Sequence, residues 1–399
     1  MDKTGRGPER YYDIDWVRVI GVLSVFTFHT TMYFNTWDWH AKNKVTTTAI
    51  QPLGLTFLVW IMPLMFVVSG LSTHYSLGRR TPGAFLKERF ARLGVPLLLG
   101  IFILSPFQVY SERVTYGKFA GTFWNWVPRY FQGWYSVTPD GNFAWMGLHL
   151  WYLLVLLVTS IVAVSVGGKP RADGRPGTLG RLFQASGPLG VVLVPPLFII
   201  VTEGLLFAAG LDKSQAWWPL LVYPALFALG NSLAPDDLLR ATARKAGPAI
   251  LLGVLATTVP LVFAQEPRGF SALYVAYHLL KVYCSWFWIL GLFYLAGRYL
   301  SRNSPALQYC NEAVMPFYVL HQPVIVGLGF TVRDLSLPVA LKWPLLWVVS
   351  LAIIMTIYHF IVRPFDPVRF LFGMKPRRQS QGETGTKVSP AAAQVPGAR

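Results

Sequence analysis

Charge is what this sequence has least of. Only 13% of its 399 residues are Asp, Glu, Lys or Arg, against about 25% in an ordinary soluble domain. Cysteine is nearly missing: Cys284 and Cys310 both fall in or beside apolar runs, which argues against a disulfide framework. No Cys/His cluster has metal-ligand spacing, and neither a glycine-rich nucleotide loop nor a nucleophile elbow is present. The expectation is therefore chemistry without a metal. No internal repeat points to an inverted-repeat transporter. The first apolar run ends in Asn35-Thr36-Trp37-Asp38, without a small-residue cleavage site, so it reads as a permanent span and not as a signal peptide.

Apolar residues make up 53% of the chain. They gather in runs of roughly 17–25, long enough to cross a hydrocarbon layer about 30 Å thick. A soluble helical protein would instead carry amphipathic stripes. Spans are expected near 16–35, 51–76, 93–110, 144–166, 188–209, 216–233, 247–264, 271–297, 312–330 and 339–362. The expected architecture is an all-α, polytopic integral membrane protein of about ten transmembrane helices, with both termini in the cytoplasm. A cytoplasmic segment 1–15 precedes the membrane domain 16–362, and a basic, largely disordered tail 363–399 follows it. The Gly/Pro/Arg-rich inner loop 167–187 is expected to be flexible. The outer loop 111–143 is rich in Trp, Tyr and Phe. Such residues anchor in the headgroup layer, and their faces also stack on sugar rings; both readings stand.

The net charge of +17 would suggest nucleic acid in a soluble protein. Position decides otherwise. On the ten-span map 25 Lys and Arg fall in inner segments and 8 in outer ones, with Lys281 and Lys342 inside spans. That alternation is the positive-inside pattern. It accounts for the basic character without a nucleic-acid partner.

Ionisable groups inside a bilayer are costly and mark function by default. Six occur here: His29, His149, Glu203, His278, Lys281 and His321. At 1.5 Å per residue, His29 lies roughly 18–20 Å from the inner edge and His321 about 13–14 Å. Glu203, Lys281 and His149 lie roughly 22–26 Å away, with His278 outermost. Each can also serve as a plain interhelical hydrogen-bonding group, a reading that weighs most for His149, near an interface.

Arg18 and His29 are eleven residues apart, almost three helical turns, so both point to one face about 16 Å apart along the axis. Arginine grips phosphate through its planar fork, and histidine takes and returns a proton near neutral pH. The spacing fits a long ligand with a phosphorylated head at the cytoplasmic mouth and a reactive tip at the deep end of one groove, the shape of an acyl-CoA. Arg89 and Arg92 share a face where the third span begins and would add a second grip. Asp15, three residues before Arg18, is placed to orient its guanidinium.

The residues also resemble a family. Tyr12-Asp13-Ile14-Asp15-Trp16-Val17-Arg18, followed by ten residues and His29, is similar to the opening of the membrane-bound acyltransferase family 3. The similarity continues through Phe66-Val67-Val68-Ser69-Gly70, Arg89-x-x-Arg92 and His149-Leu150-Trp151-Tyr152-Leu153. It closes with Asn311-Glu312-Ala313 and Pro316-Phe317-Tyr318-Val319-Leu320-His321-Gln322-Pro323, a stretch most similar to the branch of glucan-succinylating envelope proteins. The resemblance implies a catalytic role for His29 and a donor-binding role for Arg18, Arg89 and Arg92. The hydrolase-like extracytoplasmic domain of some members is not found among these residues, so transfer through a second active site of that kind is not expected.

Together these features predict a membrane O-acyltransferase in the bacterial inner membrane. Acetyl-CoA or succinyl-CoA would be the donor substrate, with no permanently bound cofactor, and an extracytoplasmic or membrane-associated carbohydrate the acceptor. His29 is the expected general base; Tyr318 and His321 are candidates to orient or polarise the thioester carbonyl, and Glu203 to orient a histidine or the acceptor. The rival is a proton-coupled transporter or flippase of an envelope glycan or lipid, which would use the buried ionisable groups as a relay but leaves the Arg18–His29 spacing unused.

Overall fold

Each expected span coincides with a helix in a computed structural model, which describes residues 11–167, 177–211, 218–267 and 271–377. The helices are α1 (Tyr12–Met32), α2 (Thr48–Leu77), α3 (Pro82–Thr115), α4 (Leu148–Ser165), α5 (Thr178–Ala208), α6 (Trp218–Ser232), α7 (Pro235–Phe263), α8 (Ala272–Tyr299), α9 (Pro305–Val332) and α10 (Val339–Val362). Eight are long and apolar enough to cross a membrane. The other two are α1, diluted by Asp13, Asp15, Arg18 and His29, and α6, described over 15 residues. The described residues form no strand, only one isolated bridge between Trp134 and Phe143. The chain is a multi-pass membrane protein.

Several helices overrun the expected spans. α3 begins at Pro82 instead of 93, and α7 at Pro235 instead of 247, because helical backbone already runs through Lys87–Arg92 and Arg240–Lys245 before the apolar window begins. α5 begins at Thr178, but Gly187 breaks it with φ 63. That left-handed conformation is open to glycine, and Pro188 restarts the helix where the expected span begins. Thr178–Ser186 of the loop expected to be flexible is thus helical; 168–176 lie outside the described residues. Residues 12–15, expected before the membrane domain, already belong to α1. Residues 363–377 fold back on the bundle, with a short helix Asp366–Leu371, because their arginines find carboxylate partners there. The rest of the tail lies outside the described residues.

α1 is held at both ends. Near its start, Arg240 of α7 donates to Asp13 at 2.7 Å and covers the Tyr11 ring at 4.4 Å. Just past its end, the Tyr33 hydroxyl donates to the Gly329 carbonyl of α9 at 2.6 Å. The Tyr33 ring lies so close that a Cβ on Gly329 would meet it at 2.8 Å. Lys42 returns to donate to the carbonyls of Met32 (2.6 Å) and Asn35 (3.0 Å), capping the helix end as cations do; burial lowers its pKa to about 8. Between the ends, Phe26 packs on Phe317 of α9 and Trp347 of α10, with ring centres 5.4 and 5.5 Å apart.

Prolines in these helices free carbonyls that must be paired within the bilayer. Pro195 has no N–H for the Val191 carbonyl, and Trp286 of α8 donates its indole N–H there at 3.0 Å. Pro323 leaves the Val319 carbonyl in the same state, and His149 donates to it at 3.1 Å.

α2 and α6 pack backbone to backbone through small residues, as membrane helices commonly do. A Cβ on Gly70 would meet the Phe227 carbonyl oxygen at 2.1 Å, and one on Gly230 would meet that of Val67 at 2.0 Å. Gly70→Leu is therefore expected to destabilise the bundle by at least about 1–3 kcal/mol. Thermal unfolding in detergent measures it, and an unshifted melting temperature would count against this close packing.

Candidate active site

The bundle holds a cavity of ≈ 1180 Å³, above the roughly 300–1,000 Å³ of ordinary ligand pockets. Its mouth is basic. Arg18, Arg80, Arg89 and Arg92 line one side, and Arg363, Arg369, Lys375 and Arg377 the other. Its inner end is mostly apolar, with Val22, Met65, Leu153 and Met315 beside Ser69, Tyr152 and Tyr318.

The arginines are fixed from several helices. Arg18 donates to Asp15 at 3.0 Å and to the Ser72 hydroxyl of α2. Arg89 donates to the Thr73 hydroxyl at 2.9 Å and lies over the Phe85 ring. Arg92 sits in a π-helical stretch, Phe90–Gly94, beside Glu88. Such bulges insert one residue into a turn and re-aim side chains at functional sites.

Composition gave the far wall only as topology signals. Glu312, in the Asn311-Glu312-Ala313 motif, accepts from Arg363 at 3.2 Å and Arg369 at 2.8 Å. Arg369 is almost fully buried and also donates to the Lys375 carbonyl at 2.8 Å. Gly373, with φ 68, lies against the Arg92 carbonyl, which Pro96 cannot pair; a Cβ there would stand 2.3 Å from it. The available signal was a motif carboxylate facing a run of cations just past the last apolar span.

Beyond the inner end, α1 and α9 bring two imidazoles together. His29 Nδ1 and His321 Nε2 are 3.0 Å apart. His321 Nδ1 is 2.6 Å from the Tyr318 carbonyl, and His29 Nδ1 is 3.0 Å from the Val25 carbonyl. Carbonyls only accept, so both Nδ1 atoms carry hydrogen in the neutral pair. His321 Nε2 is then the acceptor of the His29 Nδ1–H, and the lone pair of His29 lies on Nε2. The arrangement leaves His29 a base at Nε2, with His321 fixing its ring.

His149 joins this pair. Its ring meets that of His321 edge to face at 5.0 Å. Because its Nε2–H is given to Val319, its buried Nδ1 is a lone pair without a hydrogen-bond partner among the described residues. Its placement near an interface had favoured a plain structural role; the freed Val319 carbonyl was the overlooked signal.

One expectation about the site needs correction. Arg18 and His29 do not line one continuous groove: the cavity reaches Tyr318, whose ring lies 5.5 Å from that of His321. Tyr318 stands between because its hydroxyl is held by the His149 carbonyl. Glu203 does not join the histidine pair. It lines a separate cavity of ≈ 280 Å³ with His278 and Lys281, since α5 packs on α6, α7 and α8, away from α1 and α9.

The other side of His29 faces the loops that follow α1 and α3. Trp39 stacks on His29 at 6.1 Å, and His40 lies 5.9 Å from Trp39. His40 Nδ1 donates to Glu112 at 2.6 Å. Tyr135 and Arg113 donate to the same carboxylate, each at 2.7 Å. Burial and the adjacent Glu112 carboxylate raise the Tyr135 phenol well above its ordinary pKa, so it stays a donor. Among the described residues no group of three His, Cys, Asp or Glu is arranged to hold a metal ion.

Comparison with known proteins agrees with this layout. Residues 11–361 match the family described as Acyltransferase domain. The chain is similar to Glucans biosynthesis protein C of Salmonella paratyphi B, at 24% identity over 94% of this chain and 98% of that protein. It is also similar to the Glucans biosynthesis protein C of an Escherichia coli strain, at 25% identity over 92% and 95% of the two chains. No solved structure matches. With a match that includes α1, Arg89, Arg92 and the histidine pair, the chain belongs to the membrane-bound acyltransferase family 3, whose members transfer acyl groups.

Proposed function

We propose that the protein is an O-acyltransferase that takes an acyl group from cytoplasmic acyl-CoA and delivers it to a hydroxyl of an extracytoplasmic carbohydrate. One observation carries the reading: a large basic cavity and a histidine pair meet at Tyr318. The arginine-rich mouth suits the donor's phosphates, the mostly apolar inner end its pantetheine arm, and the region of Tyr318 its thioester. The name of the relatives, Glucans biosynthesis protein C, supports a glucan-type acceptor. The excess of Lys and Arg on the cavity-mouth side supports a cytoplasmic mouth and cytoplasmic termini, in the inner membrane of a bacterium.

In the reaction His29 Nε2 takes the acceptor's hydroxyl proton as its oxygen attacks the thioester carbonyl carbon. The C–S bond breaks, and His29 returns that proton to the departing CoA sulfur, so no net proton is released. His321 accepts the His29 Nδ1–H, holds the ring and steadies its transient positive charge. Tyr318 must leave the His149 carbonyl for the thioester to advance, and its freed hydroxyl then donates to the carbonyl oxygen, where charge develops. Asp15 keeps Arg18 aimed at the cavity.

A topology reporter at the C-terminus should read cytoplasmic and one inserted near Gly133 extracytoplasmic; the same side for both would overturn the direction. Replacing Arg89 and Arg92 with Ala should weaken acyl-CoA binding at least tenfold, since hydrogen bonds to charged groups contribute about 1.5–3 kcal/mol each. Titration of the purified variant measures this, and unchanged affinity would reduce the pair to topology signals. His29→Ala should lower transfer by about 10²–10⁴ while acyl-CoA affinity holds. His29→Gln should be nearly as inactive, because an amide cannot take the proton. Single-turnover acyl transfer on both variants checks it, and an active His29→Gln would move the base to His321.

A further inference from the structure

The polar cluster on the far side of His29 has no part in holding the donor. Its centre is Glu112, a carboxylate at the loop end of α3 that is only 8% exposed. Three donors satisfy it: His40 Nδ1, the Tyr135 hydroxyl and the Arg113 guanidinium. Arg113 also donates to Asn142 at 2.9 Å and to the Gly141 carbonyl at 2.8 Å, so the loop carrying Tyr135 is tied to the same carboxylate. The Tyr116 hydroxyl donates to the Trp39 carbonyl at 2.6 Å, fixing the backbone of the loop that carries Trp39 and His40.

This framework settles the His40 tautomer. With its Nδ1–H given to Glu112, neutral His40 carries its lone pair on Nε2, which makes no hydrogen bond among the described residues. The half-buried Trp39 indole sits between that imidazole and His29. A flat aromatic face beside an imidazole acceptor, next to the proposed base and opposite the donor cavity, has the chemistry that recognises a sugar. The apolar C–H face of a pyranose lies on an indole, and its hydroxyls need acceptors held in fixed directions.

We propose that Trp39 and His40 form the carbohydrate acceptor subsite, with a pyranose ring on the Trp39 indole and one of its hydroxyls donating to His40 Nε2. Glu112 is the positioning residue: through Nδ1 it holds the His40 ring and its tautomer. A neighbouring hydroxyl of the same sugar is thereby directed at His29 Nε2. The subsite rests on the acyl-CoA-to-carbohydrate reading above and gives it the acceptor's place and class, a pyranose entering from the end of the bundle opposite the arginines.

The test uses the full-length protein in lipid nanodiscs, acetyl-CoA as donor and a linear gluco-oligosaccharide as probe. Trp39→Ala and His40→Ala should each raise the acceptor KM by about tenfold, a ratio equivalent to about 1.4 kcal/mol, with the acetyl-CoA KM unchanged. Trp39→Phe should recover most of the loss, which a purely structural defect would not allow. Glu112→Gln should also raise the acceptor KM more than it lowers kcat. Folded variants with an unchanged acceptor KM, or with effects confined to kcat, would overturn the subsite while leaving the acyltransferase reading standing. Oligosaccharide binding followed by tryptophan fluorescence without donor separates the two ideas. Binding by the parent protein that is lost in Trp39→Ala supports the subsite even if acetyl-CoA is never consumed, an outcome that would sink the donor reading alone. A parent protein that binds no oligosaccharide overturns the subsite.

Discussion

In a bilayer no water is available to pair a backbone carbonyl, so each one freed by a proline must find a donor on the protein itself. The cost of failing is several kcal/mol per group, which makes these carbonyls strong local organisers. At Val319, opened by Pro323, the donor is His149, and that hydrogen bond, with the one from Tyr318 to the His149 carbonyl, draws α4 against α9. It brings His149 to the ring of His321 and sets its Nδ1 as a lone pair. Trp286 does the same for Val191 below Pro195, joining α8 to α5. The prolines that would weaken a soluble helix thus become attachment points between helices.

The same economy governs where charge is kept. Near the middle of the bundle the proposed chemistry uses imidazoles, which are neutral in the arrangement described and need only be hydrogen-bonded. Several full charges sit toward the ends and in company: Arg18 with Asp15, Arg240 with Asp13, Arg369 with Glu312, Arg113 with Glu112. A guanidinium close to the His29–His321 contact would oppose the positive charge that His29 accepts in the proposed transfer. Distance along α1, from Arg18 to His29, keeps the proposed phosphate grip and the proposed base electrostatically apart.

How much of this was legible in the sequence depends on the range of the interaction. Helices and their order followed from apolar runs, because burial in lipid is a local demand that each segment meets alone. The shared face of Arg18 and His29 followed from helical periodicity. The contact between His29 and His321 was not readable from spacing, since it depends on how α1 crosses α9, and that is set by Tyr33 on Gly329 and Phe26 on Phe317. Nor could Arg369 be told from other inner cations until Glu312 was seen opposite it. The surroundings of Glu203 were hidden for the same reason: depth in the membrane was computable, but the neighbouring helix was not. His40 and Glu112 escaped notice because they lie in a loop and at a helix end, where neither hydropathy nor periodicity marks a residue.

The wall of the basic cavity runs from Arg18 in the first helix to Arg377 at the edge of the described chain. Gly373 is seated on the Arg92 carbonyl and Arg369 is clasped by Glu312. During synthesis, then, α1 waits in the membrane with one wall of the basic cavity while the later helices are inserted. A chain halted before its last dozen or so described residues keeps its histidines and lacks a closed mouth. Emergence of residues 363–377 becomes the step that supplies the second wall of the mouth.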